Sequence, residues 1–241
     1  MKKFWGFLLV IVLMTSCGEY QSLLKSNDYN LVYKKAIEYY NKGDYQRAMN
    51  LLDGVRSVFV GQAKAQNIAY YRAFCSYNMK DYQIASDLFK QFIQTYPESS
   101  FAEECLYMMG FCDYKASPKP RLDQQVTEKA IREFQLYLSR YPYSMRKDKV
   151  NTYMDEMRDK LSYKAYLSAK NYYLREHYKA AVISLQNCLK DYPGSKYREE
   201  IMYMLFVSKY QMAVNSVEDK KVERYNNACL LYTSPSPRDC S

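Results

Sequence analysis

The chain has one histidine, seven glycines and seven prolines among its 241 residues. Phosphate-binding loops, most metal sites and most acid–base catalytic centres depend on glycine or histidine, so this scarcity argues against all three kinds of site. Few glycines and prolines also mean few residues that interrupt helices. Aromatic residues are abundant instead: they make up 16% of the chain, and 28 residues are tyrosine. This composition favours long helices in an ordered protein.

Catalytic motifs are missing as well. The sequence contains no GxSxG, HExxH, P-loop or DxDxDG pattern. His177 lies in the polar stretch "REHYK", which is typical of an exposed turn. We therefore expect neither an enzyme nor a bound metal or cofactor.

The formal net charge is +9, but acidic and basic residues alternate along the chain, as in "VEDKKVER". Interspersed charge is typical of solvated helix faces. Nucleic-acid binding would require a concentrated basic face or a known motif, and the sequence has neither. We expect no nucleic-acid partner, and a mildly basic surface suited to anionic lipid or to an acidic protein.

Residues 1–16 are typical of a signal peptide. Two lysines precede an apolar run over residues 4–14, which is too short to span a bilayer. The tripeptide "TSC" that follows resembles a bacterial lipobox. An ordinary cleaved signal peptide followed by a chance cysteine is the alternative.

The lipobox resemblance implies cleavage before Cys17, acyl chains on the thiol and amine of Cys17, and no cofactor beyond this covalent lipid. Two or more acyl chains anchor a protein stably in a membrane. Gly18 stands where an aspartate would suggest retention in the inner membrane, so we expect the outer membrane. Residues 17–28 are predicted to form a lipidated linker.

The six other cysteines form no CxxC pair and no Cys/His cluster, which argues against a zinc site. We expect buried apolar thiols. A disulfide between Cys75 and Cys112 is the alternative, because the two occupy equivalent places in adjacent repeats.

A repeated pattern organises the rest of the chain. Two tyrosines seven positions apart recur five times, and a small residue follows the first tyrosine by three positions in four of the five copies. The pairs are Tyr33/Tyr40, Tyr70/Tyr77, Tyr107/Tyr114, Tyr166/Tyr173 and Tyr203/Tyr210. Regular steps of 37 residues link most copies, and periods in this range indicate a solenoid.

Each unit has apolar residues at helical spacing, then a short polar turn such as "NMKDY", then a second helix that ends near "YP". The pattern resembles the tetratricopeptide repeat. We therefore predict an all-α fold, an α-solenoid of about five tetratricopeptide-like helical hairpins.

Departures from the period predict the domain organisation. Copy three carries an insertion, "SPKPRLDQ", and a single long helix over 147–170 precedes the turn of copy four. Repeats 1–3 are predicted over 29–142, and the long helix with repeats 4 and 5 over 143–232. Copy five has a predicted insertion around "NSVEDKKVER", with its last helix cut off after about one turn. The small, polar tail over 233–241 is unlike the rest and is interpreted as non-native.

One face of each first helix carries aromatic residues at i, i+4 and i+7. First helices line the concave surface of a stack of hairpins, so this stripe predicts a groove for extended peptides with aromatic side chains. Packing of the same side chains between helices is the alternative. The predicted groove residues are Tyr33, Tyr40, Tyr70, Phe74, Tyr77, Tyr107, Phe111 and Tyr114.

The lipobox, the five units and the endings "TYPESSFAEE", "RYPYSM" and "DYPGSKYREE" are together similar to the BamD family of outer-membrane β-barrel assembly lipoproteins. The resemblance implies a non-catalytic scaffold, lipid-anchored and facing the periplasm. It implies binding of the POTRA region of a BamA-like barrel subunit through the C-terminal repeats, binding of unfolded outer-membrane proteins through the N-terminal repeats, and possible accessory lipoprotein partners. A tetratricopeptide lipoprotein that scaffolds cell-envelope or peptidoglycan machinery, or one for glycan uptake, is the alternative.

Overall fold

The computed structural model describes residues 19–233, and within this range it contains helices and no β-strand. A short helical segment over residues 19–24 precedes ten longer helices. These are α1 (Tyr29–Asn41), α2 (Tyr45–Val55), α3 (Ala63–Asn78), α4 (Tyr82–Thr95), α5 (Ala102–Ala116), α6 (Gln125–Arg140), α7 (Lys147–Leu174), α8 (Tyr178–Asp191), α9 (Arg198–Val214) and α10 (Glu218–Thr233). The predicted all-α fold of five hairpins is confirmed: the ten helices pair consecutively, α1 with α2 through α9 with α10. None of the helices in the described range is long and apolar enough to cross a membrane.

The chain divides into two compact units. The first runs to Ser117 and resumes over Gln125–Val150, and the second comprises Pro118–Gln124 and the chain from Asn151 onward. The loop "SPKPRLDQ" is the predicted insertion, and it joins α5 to α6 without helix. Most of this loop therefore belongs to the second unit, although the helices on either side of it belong to the first.

Local sequence explains where the helices begin and end. Asp28 and Asp44 cap α1 and α2, each accepting a hydrogen bond from the backbone N–H three residues on. The helices α4, α6 and α8 each end two residues before a proline, because the residue before proline disfavours the helical conformation. Inside three hairpins the turn has one residue with positive φ: Gly43, Lys80 or Glu176. The same left-handed turn is thus built once with glycine and twice without it.

Small residues allow the two helices of each hairpin to approach. The alanines on the first helices are fully buried, as are their counterparts on the second helices. They are Ala36, Ala73 and Ala169 on first helices, and Ala48, Ala85, Ala130 and Ala181 on second helices. Phenylalanine and leucine side chains fill the space around them, so each hairpin shares a core with its neighbours in the same unit.

Three predictions about the ends and joins of the solenoid need correction. The long helix runs to Leu174, four residues past the predicted end. The last helix is not cut off after about one turn: α10 begins at Glu218, within the predicted insertion before Tyr225, and continues for four turns. Half of the predicted linker is folded, since residues 19–24 are helical and pack on the first hairpin. The predicted tail lies outside the described residues from position 234 on.

Candidate binding surface

The first helices α1, α3 and α5 present the predicted aromatic stripe within one unit. A groove of about 520 Å³ lies between α1 and α3. We call it the N-terminal groove; its lining residues are Tyr33, Lys34, Ile37, Glu38, Asn41, Asn67, Tyr70, Tyr71 and Phe101. Its size lies within the range of ligand pockets in proteins. Four of its nine lining residues are aromatic, and amide groups and one charge of each sign lie beside them.

Ring contacts hold the wall of this groove in place. The ring of Tyr70 lies 4.6 Å from that of Phe101 and 5.5 Å from that of Tyr71, measured between centroids. Tyr71 in turn lies 4.9 Å from Tyr40 in an edge-on arrangement. Edge-on and tilted pairs are favourable arrangements for aromatic rings, so this wall is preorganised for an incoming apolar side chain.

The rings continue beyond the groove along α3 and α5. Phe74 lies 4.5 Å from Tyr70, Tyr77 lies 6.2 Å from Phe111, and Phe111 stacks on Tyr107 at 5.7 Å. Tyr114 also stacks on Phe111, at 5.9 Å. Seven of the eight predicted groove residues thus belong to one continuous chain of ring contacts, in which Tyr71 supplies the link between Tyr40 and Tyr70.

The eight predicted groove residues differ in how deeply they are buried. Tyr107 is buried beneath the Arg146 guanidinium, which lies 4.8 Å from its ring centroid. The other seven are half-buried, so each has one side packed in the protein and another turned outward. Tyr107 therefore supports the surface from below, whereas the half-buried residues are placed to contact a ligand.

The hydroxyl groups of the wall stay protonated. Tyr70 donates a hydrogen bond of 2.8 Å to Glu104, and burial, together with this carboxylate, raises the pKa of Tyr70. Burial likewise raises the pKa of Tyr40 to about 12. The Tyr70 hydroxyl gives its only proton to Glu104 and can still accept a hydrogen bond from a peptide N–H, so the groove offers a polar contact without a fixed charge on the ring.

Only two of the predicted groove residues, Tyr33 and Tyr70, line this groove, and the lining residues that the prediction missed include Asn67, Tyr71 and Phe101. Tyr71 and Asn67 lie outside the i, i+4, i+7 stripe and carry no signal of their own. Phe101, in contrast, does carry a signal in the sequence. It follows "YPESS" as Tyr197 follows "YPGSK", and both residues place a ring against the first tyrosine of their own repeat.

The stripe continues differently in the second unit. Tyr166 is buried at 5% exposure, and Tyr203 and Tyr210 are 57% and 44% exposed. Lys170 occupies the middle position that the other four repeats give to an apolar residue. The aromatic stripe therefore does not continue without interruption through all five repeats.

Cysteine and acidic residues provide no further site. Cys75, Cys105, Cys112 and Cys188 are buried free thiols as predicted, and Cys75 is not bonded to Cys112. Cys229 is an exposed free thiol, contrary to the prediction. Within residues 19–233 there is no group of three His, Cys, Asp or Glu side chains that could hold a metal ion. Cys17, the predicted site of lipid attachment, lies outside the described residues.

Comparison with known proteins identifies the family. No curated protein sequence shows a significant match to this chain. Among solved structures, MamA AMB-1 is similar with a TM-score of 0.35 and 13% sequence identity, over 88% of this chain and 96% of that chain, and a likeness at this level carries no argument about function. A family model described as "YfiO: Outer membrane lipoprotein" matches residues 25–224, which is most of the chain and extends from before α1 into the first turns of α10. This chain belongs to the YfiO family of outer membrane lipoproteins.

Proposed function

We propose that the chain is a non-catalytic scaffold of outer-membrane β-barrel assembly. In this proposal it is anchored by lipid on Cys17 and faces the periplasm. Its N-terminal repeats bind segments of unfolded outer-membrane proteins, and its C-terminal repeats bind the POTRA region of a BamA-like barrel subunit, with accessory lipoproteins as further partners. Family membership supports the membrane and the lipoprotein character, and the resemblance to BamD supports the partners.

The N-terminal groove is the observation that carries the substrate part of this proposal. Barrel proteins have strands with alternating, often aromatic, apolar side chains, and unfolded segments expose them. The groove offers such side chains a preformed aromatic wall, in which the neutral hydroxyl of Tyr70 is held by Glu104. Rigid aromatic walls bind with a low cost in side-chain entropy.

The substrate part is tested with a labelled ten-residue peptide that ends in phenylalanine, titrated against the purified chain and followed by fluorescence anisotropy. The variant Ile37→Glu places a carboxylate in the groove, and we expect at least a ten-fold loss of affinity. Leu31→Glu is the matched control, because Leu31 lies exposed on the same helix outside the groove. Equal affinity of both variants for the peptide would contradict the proposed site.

The partner part is tested by purifying the tagged, lipidated chain from detergent-solubilised envelopes and identifying what accompanies it by mass spectrometry. We expect a POTRA-containing barrel protein as the main stoichiometric partner. Recovery of peptidoglycan or division proteins without such a barrel protein would overturn barrel assembly and favour the other scaffold role.

A further inference from the structure

A second pocket lies in the second unit and has a different chemistry. It measures about 760 Å³ and is formed by α7, by the loop between α5 and α6, and by Tyr197 at the start of α9. We call it the C-terminal pocket and define it by Arg121, Tyr163, Lys164, Tyr166, Lys170 and Tyr197. Its volume lies in the range that holds a peptide side chain or a small ligand.

Three tyrosine rings form the floor. Tyr166 stacks on Tyr197 with 4.4 Å between the centroids, and Tyr163 lies 5.3 Å from Tyr197 and 6.1 Å from Tyr166. Such a stacked cluster is rigid, and its outward faces give an apolar surface to a ligand.

Three cations stand around this floor. Lys164 Nζ donates a hydrogen bond of 2.7 Å to the backbone carbonyl of Leu122, which holds the inserted loop against α7. Arg121 lies in the same loop and is exposed. Among the described residues no acidic side chain forms an ion pair with Arg121. No aspartate or glutamate lines the pocket. Within the described residues, Arg121 and Lys164 therefore bring positive charge without an acidic partner to an apolar floor, whereas Lys170 is paired with Glu200.

Lys170 is the clearest departure from the repeat. The equivalent positions are apolar: Ile37, Phe74, Phe111 and Val207. Lys170 contacts Glu200 at 2.8 Å, which would by itself explain a lysine.

The second repeat has the same glutamate, Glu104, but its cation is Arg146 at 3.5 Å, from the turn after α6, and not a lysine of the first helix. There the hydroxyl of Tyr70 donates to Glu104, and Phe74 takes the place of the lysine. The repeat therefore keeps a cation beside this glutamate but does not require it on the first helix, and its position at Lys170 places that charge at the C-terminal pocket.

We propose that the C-terminal pocket binds an acidic segment of a partner protein. An aspartate or glutamate carboxylate lies between Arg121 and the two lysines, and an adjacent apolar side chain lies on the tyrosine floor. Charge-assisted hydrogen bonds from arginine and lysine to a carboxylate are stronger than neutral ones, and the floor shields them partly from water. The proposal does not depend on barrel assembly being the function of the protein.

The test uses the full-length chain in detergent and a phage library of random heptapeptides. We expect the selected peptides to share an Asp or Glu next to an apolar or aromatic residue. Their affinity should fall at least ten-fold in the double variant Arg121→Gln/Lys164→Gln, and also in Arg121→Gln alone if the double variant melts at a lower temperature. Raising the salt concentration should weaken binding, because the contact is partly ionic.

The matched control is Arg175→Gln/Lys190→Gln, which removes two exposed cations of the same unit outside the pocket. Because the chain is basic overall, acidic peptides could be selected by its general charge. Their affinity would then fall equally in the control and in the pocket variant, and that result would overturn the proposal. Selection without an acidic consensus would also overturn it. The groove variant Ile37→Glu is expected to retain these peptides, so failure here is distinguishable from failure of the proposed function.

Discussion

Gly110 of α5 lies directly against the ring of Phe134 of α6. A Cβ atom placed on Gly110 would come within 2.9 Å of Cδ1 and 3.0 Å of Cε1 of that ring. Phe134 is completely buried, so its ring has little freedom to retreat. The small residue of the repeat is therefore sterically required in copy three, because Gly110 allows α5 and α6 to pack at their observed separation.

Gly110→Ala is expected to lower the free energy of unfolding by about 1–3 kcal/mol, because overpacking outweighs the gain in helix propensity. Gly54→Ala is the matched control. Gly54 also lies in a helix, but a Cβ there meets no atom within 4 Å, so this change should stabilise by about 0.5–1 kcal/mol. Urea unfolding followed by circular dichroism measures both. Equal effects of the two substitutions would show that the contact with Phe134 carries no cost.

The fold was predictable from sequence because tyrosine, alanine and proline recur at fixed steps. Tyrosines mark one face of the first helix, alanines allow the helices to approach, and prolines follow the end of the second helix. The start of α10 was not predictable, because "VEDKKVER" is a polar sequence with no apolar stripe. Only Tyr225 and Ala228 matched the repeat there. Ala228 is buried against the preceding helix, so tertiary packing extends a helix that the pattern alone does not predict.

Two buried carboxylates face one ammonium group between α4, α5 and α6. Lys129 Nζ lies 2.9 Å from Asp113 Oδ2 and 3.7 Å from Glu133 Oε1, and Ser86 donates to Asp113. Asp87 also approaches Lys129, at 3.9 Å. Burial and the neighbouring Asp113 raise the pKa of Glu133 from its ordinary value of 4.5 to about 8. Glu133 is therefore protonated in the folded protein at neutral pH.

This raised pKa predicts a pH dependence of stability. Between pH 4.5 and 8 folded Glu133 keeps a proton that the unfolded chain has lost, so the contribution of Glu133 to stability falls as pH rises through this window. We expect Glu133→Gln to remove about 3.5 kcal/mol of this dependence between pH 5 and pH 8. Chemical unfolding of both proteins across that range measures it. Glu128→Gln, on the exposed side of the same helix, is the control and should leave the slope unchanged.

The folded start of the chain gives a third prediction. Tyr20 is buried in the core of the first hairpin, where its hydroxyl accepts a hydrogen bond from Asn50 and Arg47 lies over its ring. Tyr20→Ala should cost about 3 kcal/mol and speed hydrogen exchange in α1 and α2. Leu24→Ala changes a half-exposed residue of the same segment and should cost less than about 0.5 kcal/mol. If Tyr20→Ala left amide protection in α1 intact, residues 19–24 would be a linker after all.

The candidate site was only partly predictable. The stripe identified the rings that face outward on α1, α3 and α5, since residues four and seven apart share one helix face. It could not separate the buried Tyr107 from its half-buried neighbours. That difference depends on Arg146, which comes from a turn 39 positions along the chain.

Adjacent residues in the turn after α6 have opposite roles, which gives a fourth prediction. Ser144 donates to Glu103 at 2.7 Å, its Oγ lies 2.6 Å from the hydroxyl of Tyr137, and it also accepts from the backbone N–H of Arg146. Tyr143, its neighbour, is 97% exposed. Ser144→Ala should therefore cost about 1 kcal/mol or more, because buried partners lose a hydrogen bond.

Tyr143→Glu should change stability by less than about 0.5 kcal/mol, because the same turn of the second repeat has Glu98 at this position. Thermal unfolding of the two single variants distinguishes these expectations. A larger loss for Tyr143→Glu than for Ser144→Ala would mean that the exposed ring, and not the hydroxyl network, maintains this turn.

The buried thiols give the last prediction. Burial raises the pKa of Cys75 and of Cys105 to about 12, and it raises the pKa of Cys112 as well. Since the thiolate is the reactive form, these three should resist iodoacetamide at pH 8 in the folded protein, whereas the exposed Cys229 should react. In guanidinium without a reductant, all four should become labelled, as peptide mass spectrometry can measure residue by residue. Labelling of Cys75 and Cys112 only after reduction would show that a disulfide joins them, contrary to the free thiols of the structure.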